Sequence, residues 1–316
     1  MLRRAATALL SLILAIPAHS APVQFDFHSN FLVNLHSFLY NAAQRPDGLQ
    51  QTAWDGQPSP QEMQQLQAAV EYYRANYAKR HPVFDDELAY ITDALATDDQ
   101  RRNADGLALP QALASTLNGA AAAYARTAWP SQDKMNREWI AKVRELNQHY
   151  GAEIQARTSA WFGQEYPSPI RVDVVPLTGT RQGAYTFDQP PHSVIPSGIT
   201  AYQGFAALEM LYHEACHTGV VQPLADALGK AAQAQAREAD DLWHVLQFFA
   251  VGAATQQVLA AHDIIYTPYA DKKNLYAIAW PHYVEPMNAI WQPYLAGKLK
   301  REEAVAELVK RLPPSH

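Results

Sequence analysis

Residues 183–217 read GAYTFDQPPHSVIPSGITAYQGFAALEMLYHEACH. The first half is extended. Gly183 to Phe187 and His192 to Ile195 are two short strand candidates joined by Pro190-Pro191. Proline has no N–H for a sheet ladder, so this stretch fits an edge strand better than a central one. The second half is helical, with Phe205, Leu208 and Leu211-Tyr212 forming an apolar side. That helix carries His213-Glu214-Ala215-Cys216-His217, an H-E-x-x-H motif. Residues four apart share a helix face, so two imidazoles there can share one Zn²⁺ at about 2.0–2.1 Å. Glu214 stands beside them, placed to take a proton from a water that the metal polarises. With 12 His and 14 Glu in the chain, chance would supply such a motif roughly 0.02 times.

Outward from this stretch the pattern is mostly helical. Arg171-Val172-Asp173-Val174-Val175 alternates like a strand, and Pro167, Pro169 and Pro176 forbid a continuous helix around it. Before it, helices are expected near 29–44, 60–80, 85–96 and 110–126. A further long helix is marked by Trp139, Val143, Leu146 and Tyr150. Ser59-Pro60-Gln61-Glu62 is a capping-box start, and Trp129-Pro130-Ser131 is a break. From about Gln203 helix dominates to the end. The expected fold is therefore mainly α, of the α+β class. A small mixed sheet puts an edge strand next to the H-E-x-x-H helix, and helical regions flank it on both sides. The expected divisions are 1–20, 21–164 and 165–316.

Residues 1–20 read as a cleavable secretory signal: Arg3 and Arg4, an apolar run from Ala5 to Ile16, then Ala18-His19-Ser20. The run is too short to span a bilayer, which takes about 20 residues. The mature chain is expected to be exported, periplasmic or secreted, with no membrane span. The formal charge of -6 lacks the basic excess of a nucleic-acid binder. A single cysteine excludes an intrachain disulfide framework and a Cys-based zinc finger.

On the H-E-x-x-H motif and the strands before it, residues 165–265 resemble the zincin metallopeptidases. The resemblance implies a zinc-dependent peptidase in which the strand region at 184–196 aligns a peptide backbone, with Tyr185 and His192 touching substrate. The metzincin pattern asks for Gly and His three and six residues after the second His. Val220 and Pro223 stand there, so the likeness is to the gluzincins, which take a Glu from a following helix as third ligand. Glu238 has close to that spacing. His244 competes: it lies in a strongly apolar helix, where an imidazole needs a partner. The expected ligands are His213, His217 and His244, with Glu238 the alternative.

Tyr266 and Tyr269 are the candidate donors to a developing oxyanion. Glu209, one turn before His213, is a candidate partner of a ligand imidazole. Cys216 points off the metal face and reads as a small buried residue. His28 and His36 are candidates for the cleft wall, and His262 and His282 are further histidines without an assigned role. Peptides or small amides are the expected substrates. A zinc hydrolase of non-peptide amides or esters, or a metal-stabilised binding protein, are the competing readings. Glu214 argues against the last, since a structural site needs no base and usually closes with a fourth protein ligand.

Overall fold

The computed structural model describes residues 22–180 and 183–314; the expected signal segment lies outside them. The described chain is mixed α/β, 61% helical with a small four-stranded sheet. Strand β1 (Phe25–His28) leads into α1 (Phe31–Gln44), α2 (Pro60–Asn76), α3 (Asp86–Leu95), α4 (Gln111–Thr127) and the long α5 (Trp129–Phe162). Next come β2 (Ile170–Val175), β3 (Tyr185–Asp188) and β4 (Pro191–Pro196). Helices α6 (Phe205–Cys216), α7 (Gln222–Gln235) and α8 (Leu242–Ala261) follow, then short helical pieces and the C-terminal helix Arg301–Lys310.

Local chemistry sets several of these boundaries. Ser59 accepts from the Glu62 N–H while Glu62 accepts from the Ser59 N–H, so α2 starts on a complete capping box. Pro130 sits in the first turn of α5, where its missing N–H costs nothing. Gly163 ends α5 at φ 75°, a left-handed cap that suits glycine.

The sheet order is β1-β2-β4-β3. β1, β2 and β4 run parallel, and β3 pairs antiparallel with β4. The edge on the α6 side is thus β3 alone, whereas β4 is internal. The proline argument holds only at the ends of β4: Pro191 opens the strand and Pro196 closes it, so neither interrupts its interior. β1 was not expected from the sequence. It extends the sheet beyond β2, and so the core on the α6 side draws on residues well before 165.

Alternation divides the sheet into two faces. Phe25, Phe27, Ile170, Val172, Val174 and Ile195 pack into one core with α5, α6 and α8. Val175, Tyr185 and Val194 pack into a second core with α1 to α4. The sheet is therefore the middle layer between two helical layers. A partly buried ionic seam, with Asp173 and His192 at its buried centre, runs along the second face. His28 Nδ1 meets Asp99 at 2.8 Å and Arg171 Nε meets Asp173 at 2.6 Å. His192 bridges Asp173 at 2.8 Å and Asp93 of α3 at 2.6 Å. No described helix is long and apolar enough to cross a membrane.

Candidate metal centre

Helix α6 presents His213 and Glu214 in its last turn, and His217 caps it. His244 comes from the first turn of α8, which packs against α6. The His213 and His217 Nε2 atoms stand 3.4 Å apart, and those of His213 and His244 3.3 Å apart. Ligand nitrogens held at about 2.0–2.1 Å in a tetrahedron stand about 3.3–3.4 Å from one another. The observed spacing is that of two tetrahedral edges. His213, His217 and His244 form a group that could hold a metal ion.

Burial shapes the protonation of the three. His213 is held well below the usual imidazole range by burial, then by its two neighbours. Burial and His244 lower His217 to about 3. Burial lowers His244 to about 4 against the opposing charge of Asp241. All three rings are neutral near pH 7, the state that binds a metal. Aromatic rings hold them in place: Phe248 stacks on His213 at 3.8 Å between centroids, and Trp243 packs on both His217 and His244. The Nδ1 of His213 is buried without a hydrogen-bond partner, which departs from the usual support of a ligand imidazole.

Glu238 stands apart from this group. Helix α8 begins only at Leu242, so Glu238 lies in the preceding loop, where its N–H donates to the Pro313 carbonyl. Asp240 uses its carbonyl to accept from the Tyr283 hydroxyl.

Glu214 is buried and accepts from the Thr186 hydroxyl of β3 at 2.9 Å. Burial pushes its carboxyl up to about 8, with the Thr186 bond acting the other way. The edge strand and the H-E-x-x-H helix are joined by this contact. An open cleft of about 450 Å³ follows the end of β3, lined by Asp86, Tyr90, Thr186, Asp188, Gln189 and His217. The histidine cluster is thus reachable from solvent, with one wall from β3 and the other from α3.

Several expected site residues lie elsewhere. His192 is 1% exposed on the internal strand β4, locked between Asp173 and Asp93. Tyr185 is buried in the second core. Both point to the α1–α4 face, so neither touches a ligand at the cluster; Thr186 does face it. His28 lies on β1 in the ionic seam, and His36 is buried against the Tyr73 hydroxyl at 2.8 Å. Neither lines the cleft. His262 meets Glu153 at the surface, and His282 packs on Tyr283. Cys216 is fully buried beside the Tyr166 hydroxyl, with burial raising its thiol to about 12.

The two tyrosines divide in role. The Tyr266 hydroxyl donates to Glu209 at 2.6 Å, so it is already committed. Glu209 also accepts the Tyr269 N–H, at 3.0 and 3.1 Å, and burial raises its carboxyl to about 7. Glu209 therefore holds the 266–269 segment rather than a ligand imidazole. Tyr269 is half-buried and its ring packs edge-on against that of Tyr202 at 5.7 Å between centroids, and the charge of Glu214 acts on both hydroxyls. Tyr202 was not foreseen. It sits in a short 3-10 turn with no periodic signal, its hydroxyl accepting from the Ala184 N–H at 3.1 Å.

No family model, no curated protein and no solved structure matches this chain.

Proposed function

We propose that the chain is a zinc-dependent hydrolase of the zincin type, most naturally a peptidase. The carrying observation is the meeting of three neutral imidazoles, with two of their Nε2 separations at tetrahedral spacing, at the end of the helix that carries the buried Glu214. His213, His217 and His244 would hold the ion, and three protein ligands leave the fourth position for water or substrate. Bound there, zinc would lower the pKa of a water and polarise a carbonyl.

The chain's own residues supply the rest. Glu214 takes a proton from the attacking water and returns it to the leaving amine. Its raised proton affinity suits this exchange, and the Thr186 hydroxyl fixes which oxygen faces the strand. β3 has a sheet partner on one side only. Its outer edge offers backbone N–H and C=O groups to an extended peptide. Tyr269, with Tyr202 behind it, is the donor to the oxygen that gains charge. The deeper wall of aromatic rings limits water around the histidines. The signal pattern supports export, where such a hydrolase would meet extracellular or periplasmic peptides.

The test is a peptide mixture incubated with the purified chain and read by mass spectrometry. Cleavage that stops in Glu214→Gln, with zinc content unchanged, supports the reading. A Glu214→Gln chain as active as the parent would contradict it.

A further inference from the structure

The hydrogen bonds behind Glu214 continue one residue further into the sheet. β3 and β4 are antiparallel, and their register sets Thr186 opposite Ser193. Directly opposed residues of such a pair share a face. Tyr185 and Val194, one step along each strand, point into the α1–α4 core, so Thr186 and Ser193 point toward α6. Their hydroxyl oxygens meet at 2.9 Å, and Thr186 Oγ1 lies 2.9 Å from Glu214 Oε2. Ser193 is 1% exposed on an internal strand, so solvent does not serve its hydroxyl.

Counting protons fixes the direction of these bonds. Each hydroxyl has one proton to give and lone pairs to receive. Among the described residues, the Ser193 hydroxyl has Thr186 as its only partner. If Thr186 donated to Ser193, the Ser193 proton would be buried without an acceptor, as buried donors rarely are. Glu214 Oε2 would also lose its donor. If Ser193 donates to Thr186, then Thr186 donates to Oε2, and both protons have acceptors. Bonds aligned head to tail in this way strengthen one another. Oε2 is then occupied by a donor, which leaves Oε1 as the oxygen that gains and loses a proton.

We propose, on the reading of Glu214 as the base, that Ser193 is its positioning residue. Ser193 commits the Thr186 proton to Oε2, and Glu214 therefore takes up and releases its own proton through Oε1. Ser193 is buried behind Thr186 and acts through it.

Steady-state kinetics of full-length variants on a cleaved peptide tests this. Thr186→Val keeps the branched strand side chain and lowers kcat roughly tenfold to hundredfold, as for a lost bond to a charged acceptor. Ser193→Ala lowers kcat roughly threefold to tenfold with KM unchanged. Added to Thr186→Val, Ser193→Ala has no further effect on kcat. Thr186→Ser restores the hydroxyl and returns kcat to within about threefold of the parent. A Ser193→Ala loss of the same size with and without Thr186→Val overturns the proposal. So does a Ser193→Ala chain as active as the parent, or a Thr186→Ser chain as impaired as Thr186→Val. A parent that cleaves no peptide overturns the reading of Glu214 but not the relay, which a second measurement decides without substrate or zinc. In urea unfolding with EDTA present, the effects of Ser193→Ala and Glu214→Leu on the folding equilibrium constant depart from additivity by roughly threefold or more. With Thr186→Val added, they combine to within roughly twofold. Additivity while Thr186 is present, or non-additivity that survives Thr186→Val, overturns the relay.

Discussion

His192→Leu tests the ionic seam that fixes the α3 wall of the cleft to the sheet. His192 and Asp173 are 1% and 0% exposed, and His192 also meets Asp93 of α3. Solvent screening is therefore slight. Removing the imidazole leaves Asp173 with Arg171 alone and leaves Asp93 without its partner. Breaking a buried charged pair costs about 3–5 kcal/mol, out of a total stability of about 5–15 kcal/mol. The cost depends on pH in a defined direction. Burial opposes the charged imidazole, but the two carboxylates outweigh it and hold His192 above its usual 6.5. A group whose affinity for the proton is raised by folding stabilises fully below its unfolded pKa, near 6.5. That contribution is lost as pH rises through the folded value. The neutral ring retains a hydrogen bond, which is costly to lose at about 1–3 kcal/mol.

The gap between parent and His192→Leu in urea unfolding is therefore about 3–5 kcal/mol at pH 6 and shrinks toward about 1–3 kcal/mol as pH rises through the folded value. His28, raised chiefly by Asp99, and Glu209, raised by burial, slope the same way in both proteins and cancel in the difference. Asp173 is lowered by His192 and Arg171 against its burial. Its own contribution falls away only on acidification below the usual carboxylate range, outside this window. A gap that does not shrink as pH rises above the ordinary imidazole range, or that is below about 1 kcal/mol at pH 6, would refute the charged bridge.

Other predictions concern the wall proposed to be catalytic. Tyr269→Phe lowers kcat on a cleaved peptide by roughly 10²–10³ with KM little changed, as for a lost oxyanion donor. Tyr266→Phe removes the hydroxyl donated to buried Glu209, costing about 1.5–3 kcal/mol in urea unfolding with a smaller loss of kcat. Gly252→Ala puts a Cβ 2.9 Å from the Pro268 Cβ and 3.3 Å from Glu209 Oε1, displacing the segment that carries Tyr269. Helix propensity favours alanine by about 1 kcal/mol, so unfolding midpoints stay close to the parent while kcat falls, since small misplacement at a site costs up to about 10²-fold.

The parts of the site carried by helices were legible in the sequence. A spacing of four on one helix fixes His213 and His217 relative to each other whatever the tertiary fold. His244 stood out because an imidazole in an apolar helix must find a partner. Parts that depend on which face of a strand meets which layer were not legible. Register pairs Phe187 with His192 and Thr186 with Ser193, so choosing the wrong face turns Tyr185 and His192 toward the cluster and Thr186 away from it. That single inversion accounts for both misplaced substrate contacts. β1 went unseen because four residues carry too short an alternation, although Phe25 and Phe27 are buried and Asp26 and His28 are polar. The Glu209 clamp needed the return of the 266–269 segment, which no local pattern encodes.

The central claim is that three histidines, and not Glu238, hold one zinc ion. Zinc content of the purified parent, His244→Ala and Glu238→Ala chains, measured after dialysis against a weak chelator, tests it most directly. The account predicts one zinc per chain in the parent and in Glu238→Ala, and none in His244→Ala. Zinc retained by His244→Ala and lost from Glu238→Ala would contradict it, as would a parent chain that holds no zinc.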